Sequence, residues 1–456
     1  MNRDMIPPKP AARQGKGSVW RFIRDFRRDI LSAQSDRLYR AWMAEFRGPF
    51  IHSFTCNDPQ LIDMILRKRP MDFPKSPRMA AGLQPLLGNS SFISNGETWQ
   101  HQRRIIDPAF EGGRLREAFP AMWDATQAGT ARLAPLADGR DIDIEPQTSH
   151  IAADVIFRTL FSIPIENAIA TQVFDAFRDH QDAQPMVNLG GLMALPRWAR
   201  FHSRRARDSA RRIRGLIRQL IVARATEIAN GTAPPDLATK IMTTPDPQTG
   251  ATFNDREMID EVATFFLAGH ETGASALAWA LYLLAENPDW QEKLALEADA
   301  HLAPDFASVK SLTAARAVFR EALRLYPPVA MTVRECRQSE TLRDRKAPRG
   351  AQLVLSPWHL HRHQKLWDNP DAFDPGRWET ENGKTCARSA YIPFSAGARA
   401  CPGAGFAMIE GPLILSALTQ AYNLAPGRAR PEPVMRLTVR GKAGIMLRLT
   451  PRKMDI

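Results

Sequence analysis

Apolar and polar positions recur at helical spacing along most of the chain, and at strand spacing only in short stretches. Residues 19–47 set Trp20, Ile23, Ile30, Leu38 and Trp42 among charges, which predicts an amphipathic helix packed on a core. Residues 50–54 form a strand candidate, and Asp58 is placed to cap a helix over 59–67 whose first position is Pro59. Prolines, glycines and serines break every period between 70 and 97, predicting a long loop with short helical pieces of the kind that often serves function. Trp99 opens a helix that continues through Ile106, and further helical segments fill residues 141–230. Asn254 and Glu257 stand as N-cap and N3 of a capping box. The helix they start continues to about residue 286 and is apolar on most faces, so it should cross the interior. A helix ending at Arg324 is stopped by Pro327 and Pro328. Residues 329–334, 352–355 and 437–449 read as strands of a small sheet, giving a mainly α chain with a small β region.

Composition narrows the class. Hydrophobic content of 44% and charged content of 24% are those of a soluble globular protein. No apolar run is long enough to span a bilayer, and residues 1–18 lack the apolar core of a signal peptide. They read as a flexible tail before a single domain over 19–456. Cys56, Cys336, Cys386 and Cys401 have no close CxxC spacing, so neither a zinc ribbon nor a disulfide scaffold is indicated, and a reducing cytoplasm suits them. The net charge of +12 is compatible with an acidic partner, although the arginines of residues 211–218 fit a solvated helix face.

Four stretches carry candidate chemistry. In residues 394–403, Phe-Ser-Ala-Gly-Ala-Arg-Ala-Cys-Pro-Gly, Gly397 and Gly403 bracket Cys401, and the chain turns helical just beyond. A cysteine before a helix N-terminus has its thiolate stabilised by unpaired N–H groups and the macrodipole, and a thiolate can ligate haem iron. A small buried cysteine is the plain alternative. Ala-Gly-His-Glu-Thr at 268–272 sets Glu271 and Thr272 inside the long apolar helix, where polar groups are costly unless used. Trp99 and Arg103 share a helix face four residues apart, and Glu321 and Arg324 do so three apart. His359, His361 and His363 alternate as strand-borne zinc ligands might, but no acid follows at a metalloenzyme spacing, which argues against a metal site.

Taken together, Phe-x-x-Gly-x-Arg-x-Cys-x-Gly, Ala-Gly-x-Glu-Thr, Trp-x-x-x-Arg and Glu-x-x-Arg stand in the order found in the cytochrome P450 family, which the chain resembles in its soluble bacterial form. The resemblance implies a triangular, mainly α fold with haem between the long central helix and the cysteine loop. It implies heme b (iron protoporphyrin IX) ligated by Cys401 within a loop containing Phe394 and Gly397. Trp99, Arg103, Arg334 and Arg399 would meet the propionates. Glu271 and Thr272 would be the catalytic pair that handles protons during activation of O2, the co-substrate. Glu321, Arg324 and Arg377 would form a structural cluster, with Gly376 a departure from the family tripeptide that spares the arginine. Residues 183–196, apolar and bounded by prolines, would be a mobile lid. The activity implied is insertion of one oxygen atom into an apolar organic molecule by a cytoplasmic monomer without nucleic acid or stable membrane insertion. Electrons from NAD(P)H would arrive through an acidic ferredoxin and ferredoxin reductase, since no flavin or iron–sulfur segment is seen. A peroxide-driven haem-thiolate enzyme and a haem-thiolate sensor are the alternatives.

Overall fold

A computed structural model of the chain describes residues 5–13, 24–25, 29–48, 51–111, 113–183 and 204–452. In chain order its helices are α1 (Pro59–Asp63), α2 (Pro77–Leu87), α3 (Gly96–Ile106), α4 (Arg114–Leu133), α5 (Ile144–Phe161), α6 (Ala168–Ala183) and α7 (Arg204–Ala229). There follow α8 (Leu237–Thr243), α9 (Asp255–Ala285), α10 (Pro288–His301), α11 (Thr313–Leu325), α12 (Pro357–Leu360), α13 (Glu381–Ser389) and α14 (Ala404–Ala421). Local chemistry sets several of these boundaries. Asp58 accepts from Gln60 N–H at 2.9 Å to start α1. The Asn254 side chain accepts from Arg256 and Glu257 N–H at 3.0 Å, and Glu257 reaches back to Asn254 N–H at 3.1 Å, completing the capping box of α9.

The chain divides into two compact units. The first comprises Met1–Phe73, Thr126–Ile151 and Thr272–Ile456. Every strand of the described residues lies in it. Strands β1 (Met43–Arg47), β2 (His52–Cys56), β7 (Gln352–Leu355) and β4 (Thr332–Glu335) make a four-stranded sheet in that order. β3 (Asp141–Asp143), β11 (Met446–Pro451) and β8 (Tyr422–Pro426) make a three-stranded one, and β5 (Glu340–Leu342) with β6 (Arg345–Ala347) and β9 (Pro433–Met435) with β10 (Val439–Gly441) make two hairpins. The second unit, Pro74–Ala125 and Ala152–Glu271, is helical and packs α2, α3, α5, α6, α7 and α9 around Phe157, Phe161, Phe177, Ile213, Ile217 and Phe266.

Three expectations change. Residues 43–47, placed by their period in a helix, are strand β1: each pairs antiparallel with β2, from Met43 opposite Cys56 to Arg47 opposite His52. Cross-strand pairing with β2, about which the local period carries no information, overrides that period here. Part of the predicted helix, residues 19–23 and 26–28, lies outside the described residues, as does 184–203, which holds most of the proposed lid. The stretch 70–97 contains an eleven-residue helix, α2, capped by Ser76 with Pro77 in its first turn and Pro85 near its end, both proline positions that a helix tolerates better than a central one. The described part of the presumed tail is tied down: Phe373 N–H donates to the Met5 carbonyl at 3.0 Å, Tyr326 Oη to Pro8 at 2.7 Å, and Arg13 N–H to Gln34 at 2.9 Å.

Candidate active site

In the first unit, residues 394–403 form a bent loop feeding α14. Ser395 and Gly397 both have positive φ, 62° and 67°. Gly397 is obligatory, because a Cβ there would stand 2.0 Å from the Leu66 carbonyl oxygen as well as in a left-handed conformation. The 2.9 Å bond from Cys401 N–H to the Phe394 carbonyl closes the loop, and Gly403 is the N-cap of α14. Cys401 is the exposed one among four cysteines; Cys56, Cys336 and Cys386 are buried, and burial pushes the Cys336 and Cys386 thiols up to about 11. The arrangement thus sets Cys401 apart at the positive end of a helix dipole. Arg399, two residues before it, is buried, and Phe394 is half-buried.

Arg334 lies on β4 and is 4% exposed. Burial lowers its guanidinium to about 10, and among the described residues no acidic neighbour offsets the loss of hydration. A buried cation without a counter-charge is costly, so the site suits an anionic group.

The long helix α9 is unbroken from Asp255 to Ala285, so the Ala-Gly-His-Glu-Thr segment is continuous helix. Gly269 has a packing reason: a Cβ there would stand 2.4 Å from Ile156 Cδ1 of α5. His270 is buried edge-on against Phe174 at 5.5 Å. Glu271 is 3% exposed and Thr272, its neighbour, half-buried. Farther along, Ser275 Oγ and Trp279 Nε1 both donate to the Val439 carbonyl of β10, at 2.6 and 3.0 Å, fixing this part of α9 within the first unit.

In the second unit, Arg103 lies 5.9 Å from the ring of the buried Trp99, and its Nε donates to Asp107 at 2.5 Å. The shared face is therefore real, and Arg103 also has an acidic partner on its own side.

The Glu321 cluster is fully internal. Arg324 meets the carboxylate at two points, 2.9 and 2.8 Å, and Arg377 Nε bonds Oε1 at 2.9 Å. Burial favours protonating Glu321, but the two guanidinium groups outweigh it and hold the carboxyl below its ordinary value.

The three alternate histidines are each pinned separately. His361 Nε2 accepts from Ile392 N–H at 2.9 Å, His359 Nδ1 lies 2.8 Å from Ser356 Oγ, and the His363 ring stacks on Trp42 at 4.4 Å. Burial lowers His359 and His361 to about 3, so both stay neutral. Among the described residues no group of three His, Cys, Asp or Glu side chains is placed to hold a metal ion.

The cytochrome P450 family model matches residues 37–450. The chain belongs to the cytochrome P450 family. Cyclooctatin synthase of Streptomyces melanosporofaciens is 34% identical to this P450 over 78% of the chain and 78% of that protein. Cyclooctat-9-en-7-ol 5-monooxygenase of the same organism is 33% identical over 83% and 81%. The solved heme domain of cytochrome P450DA shares the fold, with a TM-score of 0.81 over 98% of both chains at 24% identity. The chain is accordingly a P450 monooxygenase, and the family implies heme and O2-dependent chemistry. The residues present fit such a group: an exposed thiol at a helix N-terminus matches an iron ligand, and the uncompensated Arg334 matches a propionate. No described helix is long and apolar enough to cross a membrane.

Two features escaped the sequence reading. Glu410 of α14, nine residues after Cys401, is 6% exposed, and burial alone pushes its carboxyl up to about 8. An acid set within the apolar run from Phe406 to Ala417 was a legible signal for it. The other, Asp260 and Glu261, binds residues about 170 positions away, and no local pattern announces it.

Proposed function

We propose that this P450 hydroxylates or epoxidises an apolar organic substrate with electrons supplied by a separate ferredoxin and its reductase. The observation that carries the reading is the placement of Cys401, exposed at the N-terminus of α14, where its thiolate can ligate iron while Arg334 and Arg399 neutralise propionates. By the motif they carry, Trp99 and Arg103 of α3 are assigned to propionates as well. Heme, when bound, supplies dioxygen binding and the oxidising chemistry. Converting a C–H bond and O2 to an alcohol and water takes up two electrons and two protons. In this reading Thr272 donates a hydrogen bond and a proton, and Glu271, buried beside it, resupplies the hydroxyl. Buried apolar side chains exclude water and orient the substrate.

The names of two bacterial relatives favour an unsaturated alicyclic alcohol or a compound like it as substrate. The net charge of +12 favours an acidic electron donor, because complementary charge accelerates encounter.

Turnover of cyclooctat-9-en-7-ol and related alicyclic alcohols should be compared with reduced ferredoxin in air and with hydrogen peroxide alone. Product formed with ferredoxin, falling steeply as salt rises, supports the reading. Efficient turnover on peroxide alone, or rates indifferent to ionic strength, would overturn the electron-donor assignment. Cys401→Ser should abolish the thiolate-type shift of the ferrous–CO absorption band, and a retained shift would move the ligand elsewhere.

A further inference from the structure

Two adjacent acids of α9 hold the segment that leads from α2 to α3. Asp260 Oδ2 accepts Asn89 N–H at 2.8 Å. Glu261 accepts twice from Ser91, its Oε1 from the backbone N–H and its Oε2 from the hydroxyl, both at 2.7 Å. One turn farther on, Thr264 Oγ1 donates to Ser90 Oγ at 2.6 Å. The approach is close enough that a Cβ on Gly88, φ +57°, would stand 2.1 Å from Asp260 Oδ1. The hold continues into α3: Gln102 Nε2 donates to the Asn89 carbonyl at 2.6 Å, and Gln102 Oε1 accepts from Ser94 Oγ at 2.6 Å. Trp99 and Arg103 flank Gln102 on that helix.

The two acids differ in their neighbours. Asp260 faces Arg214 of α7 at 2.6 Å. Glu261 is fully buried, and the charged groups facing it are Asp260 on its own helix, which opposes its ionisation, and Lys75, which favours it. The Lys75 ammonium also bonds the Ser91 carbonyl at 3.0 Å. Burial, added to the Asp260 charge, pushes the Glu261 carboxyl up to about 7. The two Ser91 bonds favour the carboxylate and offset part of that rise; the protonated carboxyl keeps the bond from Ser91 N–H, and its O–H reverses the other by donating to Ser91 Oγ.

We propose that Glu261 is a positioning residue which, in its neutral form, clasps Ser91 and thereby fixes residues 89–91 and the start of α3, and which loosens that hold as it ionises. The consequence for Trp99 and Arg103 rests on the proposed function; the clasp itself does not.

The sign follows from linkage. In the opened segment the carboxyl is hydrated and titrates near its ordinary 4.5, against about 7 when clasped. Opening therefore releases a proton between those values. Protection is complete below 4.5, falls as pH rises to 7 and levels off above it. One proton released per opening corresponds to at most about a tenfold rise in the opening equilibrium per pH unit.

Hydrogen exchange of the full chain, followed by mass spectrometry on peptides covering 86–100 from pH 5 to 8.5 and corrected for intrinsic rates, tests this. In the parent, opening should rise severalfold or more from pH 5 to 7 and then flatten. Glu261→Gln keeps a donor and an acceptor without a charge, so its protection should stay near the parent's pH 5 level throughout. Glu261→Ala should be unprotected at every pH. A pH-independent parent, or a Glu261→Gln variant that loses protection in parallel with it, overturns the proposal. Exchange needs neither turnover nor an iron ligand, so a failure of the functional reading would leave this result standing.

Discussion

Glu321 and Arg324 meet through a two-point hydrogen-bonded ion pair in which neither side chain touches solvent. Arg324 spends its remaining donors on the carbonyls of His361, Pro370 and Ala372, and Arg377 binds the same carboxylate. α11 and the turn Pro375–Glu379 are thereby joined through one charge.

Removing that charge leaves two buried guanidinium groups without their carboxylate, with backbone carbonyls as the remaining acceptors. Glu321→Ala should lower stability by about 3–5 kcal/mol, the range for breaking one side of a buried pair. Denaturant unfolding measures it; a loss below about 1 kcal/mol would show that the arginines find other acceptors.

Arg334 presents the opposite case, a cation buried without a counter-charge among the described residues. Arg334→Met should leave the heme-free protein as stable as the parent or more so, since it removes that burden. The same change should speed heme loss to an acceptor globin by about tenfold or more, the equivalent of a lost charge-assisted bond of roughly 1.5–3 kcal/mol. Unchanged heme loss would mean that Arg334 does not meet a propionate.

Glu410 makes stability depend on pH. Its folded value, about 8, lies above the ordinary 4.5, so the native state holds the proton more tightly. The contribution is complete below 4.5 and is lost as pH climbs through 8. Between pH 5 and 8, Glu410→Gln should gain on the parent by up to about 1.4 kcal/mol per pH unit. Parallel stability curves for the two proteins would refute the assignment.

Thr272→Ala tests the proton-handling role. Reductant consumption should continue while product per electron falls severalfold, measured as the ratio of product to NAD(P)H oxidised. Coupling equal to the parent's would relieve Thr272 of that role.

Features within one turn of chain were legible beforehand. Asp58 before Pro59, the Asn254–Glu257 capping box and the double proline after α11 each act on groups a few residues away, so their identity and spacing sufficed. The cysteine loop was equally readable, because Gly397 and Gly403 flank Cys401 at short range. Residues 43–47 were misread for the converse reason. Their strand exists only because β2 lies alongside, and helical periodicity in the preceding residues carries no information about that partner.

The sequence by itself determined the family, the candidate iron ligand and the boundaries of a few helices, since these depend on residue type at fixed short spacing. Tertiary structure alone decided which charges lie buried and with whom. Among the described residues Arg334 lacks a counter-ion, Glu410 is held neutral, and Glu261 grips Ser91 across 170 residues of chain. A charge's free energy is set by the solvent removed from it and the dipoles brought to it, and both are properties of the folded neighbourhood.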